Sequence, residues 1–204
     1  GAGSGVDTPA VIDDTGSTRN GGSSTGSALR FGADLGAGLI SLDAQGTEFR
    51  FSQALVSIGT LRVPLPKNIA CSDVAYESPI TCNGDALQLE TSVTTDLVAQ
   101  TSVGAVELPP ATYGSARAVL EASEATDDTV QLSGNFDYEG VALTFDARLA
   151  FRRSTLFRAV DGVELPDGGS LLLAFDVSQW LADANITECL RSGALPISSD
   201  NQVT

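Results

Sequence analysis

The chain has 204 residues, a formal net charge of −15, a pI near 4.1, and neither histidine nor methionine. So acidic a protein repels nucleic-acid phosphates, and we therefore expect no nucleic-acid partner. Without histidine the chain cannot build a Ser-His-Asp or Cys-His catalytic site, and it lacks the commonest metal ligand. Because no initiator methionine is present, we expect a processed or trimmed fragment of a longer protein.

The first segment, residues 1–27, consists mostly of Gly, Ser, Thr and Asp. This composition predicts a flexible tether ahead of one folded domain over residues 28–204. Such a tether often follows the lipid-modified cysteine of an exported bacterial lipoprotein, although an ordinary disordered terminus has the same composition. No run approaches the roughly 20 apolar residues of a membrane helix, so we expect membrane attachment only through an N-terminal lipid anchor. We also expect the natural chain to continue beyond Thr204.

Alternation of apolar and polar residues with a period of two dominates the domain and predicts strands. The phase of this alternation slips near Gln53-Ala54, which indicates a bulge or a brief helical turn. Val141 begins the clearest run, and Glu139-Gly140 before it predicts a two-residue hairpin loop. The predicted strands cover residues 29–35, 39–42, 48–51, 54–63, 87–93, 113–122, 130–138, 141–151, 156–160 and 171–177. Short strands separated by turn residues predict an all-β fold, an antiparallel β-sandwich of about nine strands with one short C-terminal helix.

The three cysteines are Cys71, Cys82 and Cys189. Cys71 and Cys82 bracket a short loop that contains Pro79, which predicts a disulfide that stabilises the fold by about 3 kcal/mol. Three cysteines allow three single pairings, so a bond that involves Cys189 stays open. Otherwise we expect Cys189 to be a buried free thiol or the partner of a cysteine outside this fragment. A disulfide fits an exported protein.

The C-terminal helix is predicted over residues 179–191. Ser178 is a suitable N-cap, and Gly193 follows the end of the pattern. Trp180, the single tryptophan, is predicted to fill the core between the helix and a sheet; the alternative is a ligand platform.

Pairs of carboxylates are the candidate catalytic groups in the chain. Asp127-Asp128 lie in turn sequence, where such side chains usually satisfy backbone groups, and Asp13-Asp14 fall in the predicted tether. Other acids surround the cysteine loop and could offer oxygen ligands to a structural calcium ion, the one cofactor that stays open. These calcium candidates are Asp73, Glu77 and Asp85, with a second group at Asp161 and Asp167.

The tetrapeptide Val-Glu-Leu-Pro occurs twice, at residues 106–109 and 163–166, and turn residues and an apolar run follow each copy. Glu107 and Glu164 hold the same place in the two copies. Two facing carboxylates roughly 5–10 Å apart would suit glycoside hydrolysis. A position before Leu-Pro at a strand end instead favours an outward-facing acid, so we interpret both copies as joints between strands, and predict no catalytic residues.

The first copy continues as VELPPATYGSARAVL, which resembles the LPPGTY joint of bacterial β-sandwich lipoproteins and of prealbumin-like folds. Together with FRFSQALVSIGTLRV and LLLAFDVSQWL, it makes the chain similar to exported lipoproteins of myxobacteria and related bacteria. A fainter similarity is to the copper-binding partner proteins of periplasmic di-haem enzymes. The resemblance implies a sandwich fold and export. The usual copper ligands, His and Met, are missing, so no metal site is predicted from it.

We therefore expect an exported, lipid-anchored, non-catalytic β-sandwich lipoprotein at the periplasmic or outer cell surface. Its role would be binding or structural, with an envelope protein or a glycan as partner. One alternative is a carbohydrate-binding or adhesion module, which needs an exposed aromatic platform drawn from Tyr76, Tyr113, Tyr138 and Trp180. The other is an acid-based hydrolase that uses a carboxylate pair.

Overall fold

The computed structural model describes residues 10–14, 29–34 and 38–204. These residues form strands and one short α-helix, in sheets that are mostly antiparallel and arranged as a sandwich, which confirms the predicted fold class. In chain order the strands are β1 Ala10–Asp14, β2 Leu29–Ala33, β3 Ile40–Leu42, β4 Glu48–Pro64, β5 Ala75–Tyr76, β6 Ile80–Asn83, β7 Ala86–Leu89, β8 Val93–Asp96, β9 Val106–Glu107, β10 Ala111–Leu120, β11 Val130–Tyr138, β12 Val141–Leu149, β13 Arg153–Leu165, β14 Leu171–Phe175 and β15 Gln202–Val203. The helix α1 is Ile186–Arg191, and 3-10 turns cover Cys71–Asp73 and Val177–Gln179.

The strands number fifteen within the described residues, more than the predicted number of about nine. Several additional strands have only two or three residues, too short for a period-two pattern to be recognised. The predicted run 87–93 is divided between β7 and β8. The predicted runs 48–51 and 54–63 are one continuous strand, β4.

Strand β4 organises the large sheet because it has neighbours along both edges. Val56 pairs with Val130 of β11 on one edge and with Thr95 of β8 on the other. Further along, Arg62 pairs with Arg117 of β10 and with Gln88 of β7. Its first half therefore belongs to the β3, β11 and β12 side, and its second half to the β7, β10 and β13 side.

Two bulges in β4 explain its irregular hydrophobic phase. Opposite β11 the register jumps from Gln53 to Phe51, so Ser52 is an extra residue, and the predicted slip is confirmed as a bulge. Opposite β10 the register jumps from Thr60 to Ile58, which leaves Gly59 as a second extra residue. A Cβ on Gly59 would collide with the side chain of Glu121. Each bulge turns the next apolar side chain back toward the core.

The hairpin between β11 and β12 has the predicted two-residue loop. Tyr138 pairs with Val141, and Glu139 and Gly140 both have positive φ, at 50° and 81°. Positive φ at both loop positions is the requirement of a type I′ turn, whose twist matches that of the flanking strands.

A separate three-stranded sheet has the order β1-β14-β2. Its central strand, β14, is buried at every residue, which accounts for the unbroken apolar sequence LLLAF. Strand β1 pairs antiparallel with β14. The tether prediction is therefore wrong for Ala10–Asp14, whose backbone obtains hydrogen-bond partners from β14. The rest of residues 1–27 lies outside the described residues.

The C-terminal helix exists but is shorter than predicted. It begins after Asn185, and Ser178 does not cap it. Asp176 instead accepts a hydrogen bond from the Ser178 backbone N–H at 2.9 Å, which closes a 3-10 turn. Gly193, with φ of 76°, follows the helix end as predicted.

Aromatic side chains fill the core in two clusters. The first cluster comprises Phe49, Phe51, Phe136 and Phe145, with the Phe49 and Phe136 rings stacked at 4.4 Å between centroids. The second comprises Phe31, Phe157, Phe175 and Trp180. Trp180 is half-buried and meets Phe175 edge-on at 6.3 Å, as expected of a side chain that packs against the core.

Candidate functional site

The predicted disulfide joins Cys71 to Cys82, with their Cα atoms 5.6 Å apart. Cys189 is a free thiol and is half-buried rather than buried. Within the cysteine loop, β5 pairs with β9, so Tyr76 lies opposite Val106. The disulfide therefore also braces the first Val-Glu-Leu-Pro copy.

The calcium candidates of the cysteine loop have other partners. The Asp73 carboxylate accepts a hydrogen bond from the Ala70 backbone N–H at 2.8 Å. Asp85 forms an ion pair with Arg62 at 2.6 Å. Across residues 10–14, 29–34 and 38–204, no three His, Cys, Asp or Glu residues are grouped to hold a metal ion. Glu77 thus joins no such group, and neither do Asp161 and Asp167.

The two glutamates of the repeated tetrapeptide are not a facing pair. Glu107 lies opposite Ala75 on β5, and Glu164 lies opposite Thr112 on β10. Both side chains are exposed. The interpretation of each copy as a joint between strands agrees with this placement.

Tyr113, which follows the first copy, is 1% exposed. Its hydroxyl donates a hydrogen bond at 3.0 Å to the carbonyl of Pro109, four residues upstream. This contact has the geometry of the tyrosine corner found in β-sandwiches. Burial raises the pKa of Tyr113 to about 12. The sequence singled out this segment as a strand joint and offered Tyr113 only as a member of the alternative aromatic platform, so the hydrogen bond to Pro109 was not predicted.

Asp127-Asp128 form part of a turn. Asp127 has φ of 57°, and its backbone N–H bonds the Ser123 carbonyl at 2.8 Å. The Asp128 carboxylate lies 3.7 Å from the Arg148 guanidinium. The side chains of Asp13-Asp14 lie outside the described part of the chain.

An open pocket of ≈590 Å³ lies between β12, α1 and the C-terminal strand β15. Phe49 and Phe145, from the first aromatic cluster, form its inner surface. Ile186, Leu195 and Val203 also line it, and Val203 is the cross-strand partner of Phe145. The remaining lining residues are Asp146, Ala147, Arg148, Gln202 and Thr204. The lining is largely apolar, as is usual for pockets that bind small molecules.

A buried hydrogen-bond network holds α1 in place beside the pocket. Asp43, 4% exposed, follows β3 and accepts a hydrogen bond from the Thr187 backbone N–H at 2.9 Å. It thereby supplies the capping interaction that Asn185 does not make. The same carboxylate accepts hydrogen bonds from the backbone of Gln45 and Thr47. Burial acts to raise the pKa of Asp43, but these hydrogen bonds, led by those from Thr187, lower it overall.

Of the polar lining residues, Asp146 and Arg148 come from β12 and Gln202 comes from β15. Arg148 lies 3.5 Å from the Asp146 carboxylate, which also accepts a hydrogen bond at 3.1 Å from Gln131. Because side chains alternate along a strand, those of Asp146 and Arg148 project from the side of β12 opposite to Phe145 and Ala147. The pocket was missed from the sequence because its walls come from β4, β12, α1 and β15, and none of these segments alone carries a ligand-binding pattern.

The aromatic side chains do not assemble into the platform that a carbohydrate-binding module would need. Of the three tyrosines and one tryptophan, Tyr76 alone is exposed, at 40%. Tyr113 is buried, and Tyr138 and Trp180 are half-buried and pack against the core.

No protein-family model, curated protein or solved structure matches the chain. Among the described residues, no helix combines the length and the apolar character needed to cross a membrane.

Proposed function

We propose that the protein is an exported, lipid-anchored β-sandwich that binds an apolar ligand at the cell envelope, without a catalytic role. The binding role rests on one observation, the open pocket of ≈590 Å³ over the rings of Phe49 and Phe145. Ligand pockets commonly measure about 300–1,000 Å³, so this one has room for a small molecule.

The character of the ligand follows from the lining. Burying an apolar group against Phe145, Ile186 and Leu195 would contribute roughly 25 cal/mol per Å² removed from water. Gln202 and Thr204 also line the pocket and can bond one polar group of the ligand. A mostly apolar molecule with a polar head therefore fits best.

Export is supported by the disulfide between Cys71 and Cys82, since such bonds persist in oxidising compartments and are rare in the cytosol. The lipid anchor is proposed from the Gly- and Ser-rich composition of residues 1–27.

The binding role is tested by titration with the amphipathic fluorophore anilinonaphthalene sulfonate. Ala147 lines the pocket, so Ala147→Phe fills it. Ala142 is exposed on the same strand and is not among the lining residues, so Ala142→Phe is the matched control. We expect Ala147→Phe to weaken fluorophore binding at least about tenfold, a loss of about 1.4 kcal/mol, and Ala142→Phe to leave it unchanged. Equal binding by the wild-type protein and Ala147→Phe would overturn the proposal.

Export and anchoring are tested on the protein in its own cells. Alkylation before reduction should modify Cys189 and leave Cys71 and Cys82 protected, and the protein should partition into the detergent phase of a Triton X-114 extract. Free thiols at all three positions, or recovery in the cytosolic fraction, would contradict export. Recovery in the aqueous phase would contradict the anchor.

A further inference from the structure

Away from the pocket, the outer face of the second half of the large sheet carries a row of side chains across five strands. Thr81 of β6 pairs with Gln88, Gln88 with Arg62, Arg62 with Arg117, and Arg117 with Leu156 of β13. Cross-strand partners project from the same side of a sheet. Their strand neighbours Val63, Leu87 and Ala118 are buried, so the row itself faces solvent.

Three arginines concentrate on this face. Arg62 and Arg117 are direct cross-strand partners, with Cβ atoms about 5 Å apart. Arg158 is two residues beyond Leu156 on β13 and pairs with Ser115, so it lies about 7 Å further along the same side. All three side chains are exposed.

This placement is unusual in a chain with 26 acidic and only 11 basic residues. Like charges placed directly opposite each other destabilise a sheet. Arg62 has one carboxylate partner, Asp85, which is 79% exposed, and such an ion pair is worth little. Arg117 and Arg158 form no ion pair with any carboxylate of the described residues. Arg117 and Arg158 thus carry charges that no carboxylate of residues 10–14, 29–34 and 38–204 neutralises in an ion pair, although the chain is rich in acids.

We propose that this face, the arginine row of Arg62, Arg117 and Arg158, binds a linear polysaccharide that carries carboxylates. A guanidinium binds a carboxylate through two parallel hydrogen bonds, which makes arginine well suited to recognise such groups. Gln88, Thr81 and Ser115 on the same face can exchange hydrogen bonds with sugar hydroxyls. A thin polymer contacts the row over a narrow strip, where Asp85 is the carboxylate paired with Arg62.

Other anionic partners fit the face less well. An acidic peptide in extended form would add to a strand edge through backbone groups, and this face presents only side chains. An acidic folded protein would need roughly 1,000 Å² of complementary surface. An anionic membrane would gain about 1 kcal/mol per arginine, but its broad flat surface would also approach the acidic residues outside the row, in a protein with a net charge of −15.

The arginine row is separate from the pocket, which lies on the other half of β4, next to Phe49. It is tested with an oligogalacturonate of defined length, by calorimetric titration at low ionic strength. Arg62→Gln and Arg117→Gln should each weaken binding about tenfold, which is about 1.4 kcal/mol. Arg50→Gln is the matched control: Arg50 lies on the same strand, its side chain is 46% exposed against 47% for Arg62, and it also pairs with acids.

We expect Arg50→Gln to change the affinity less than about twofold, and neutral dextran oligomers not to bind, because the carboxylates carry the recognition. If Arg50→Gln and Arg117→Gln lost the same affinity for the oligogalacturonate, binding would reflect general charge attraction, and the proposal would be overturned. No binding of the oligogalacturonate, or tighter binding of inorganic phosphate or phosphatidylglycerol vesicles, would also overturn it. Melting curves report folding independently, and Arg117→Gln should not lower the melting temperature because it removes a like-charge contact.

Discussion

The two copies of Val-Glu-Leu-Pro begin alike and end differently. In both, the leucine is buried and the glutamate is exposed, so Leu108 and Leu165 anchor their segments to the core. After the first copy, the chain enters β10 and Tyr113 bonds back to Pro109. After the second copy, Gly169 donates to the Pro166 carbonyl at 3.0 Å and closes a tight turn into β14.

The difference shows that the shared tetrapeptide only ends a strand, and that the residues after it decide the connection. The two segments are also neighbours, since Tyr113 of β10 pairs with Val163 of the second copy. One joint is fixed by a side chain and the other by backbone conformation. Substitutions can test each mechanism separately.

The largest expected effect is at Tyr113. Tyr113→Ala removes a fully buried ring and leaves a cavity, so we expect unfolding to become easier by about 3–5 kcal/mol. The corresponding position of the second copy is Ser170, and Ser170→Ala should cost much less because it removes no ring. Urea denaturation of both variants measures the contrast, and equal losses would contradict a special role for the tyrosine.

Alkaline pH should weaken the first joint selectively. Burial raises the pKa of Tyr113 to about 12, above the value of about 10 in the unfolded chain. The stability that the buried, neutral Tyr113 hydroxyl contributes to the fold is therefore fully present below pH 10, and it is lost as the pH rises toward 12. At pH 11 the wild type should have lost about 1.4 kcal/mol relative to Tyr113→Phe. Denaturation at pH 8 and pH 11 gives this difference, and a pH-independent difference would show that the hydroxyl is not buried.

Gly168→Ala should destabilise the second joint by about 1–2 kcal/mol. Gly168 has φ of 70°, a conformation that β-carbon-bearing residues adopt at a cost, although no atom would obstruct the new methyl group. The corresponding residue of the first copy is Ala111, within β10. Ala111→Gly should lower the free energy of unfolding by about 0.5–1 kcal/mol, because glycine loses more backbone freedom on folding than alanine does. Thermal melts of both variants compare the joints. If Gly168→Ala left the melting temperature unchanged, backbone conformation at this residue would not be what fixes the second joint.

Tyr113→Phe removes the hydroxyl and keeps the ring. It should lower the free energy of unfolding by about 1 kcal/mol at neutral pH, because the Pro109 carbonyl loses its hydrogen-bond donor. Chemical denaturation at pH 7 provides the measurement. A loss as large as that of Tyr113→Ala would mean that the hydrogen bond, rather than the ring, carries the joint.

The smallest effects are expected at the two glutamates. Glu107→Gln and Glu164→Gln change exposed side chains, so each should alter stability by less than about 0.5 kcal/mol. The double variant should show the sum of the two changes, since sites without shared partners are additive. A large non-additive effect in unfolding experiments would instead indicate that the two carboxylates interact.

The bulge at Ser52 was predictable because the apolar phase changes within an otherwise apolar run. The helix boundary was not predictable, since Asp43 caps α1 at Thr187 from 144 positions away in sequence. Local capping rules select Ser178 because they consider only neighbouring residues. The tether prediction was wrong for β1 for a similar reason, because its hydrogen-bond partner, β14, lies near the opposite end of the chain.

The sequence by itself determined the fold class, the β11–β12 hairpin and the Cys71–Cys82 pair, because alternation, turn residues and short-loop closure act between near neighbours. Tertiary structure alone decided the pocket and the arginine row. Pocket walls come from segments far apart in sequence, and Arg62 meets Arg117 only through strand register. Charge counts are properties of composition, but whether a charge finds a partner depends on which strands become neighbours.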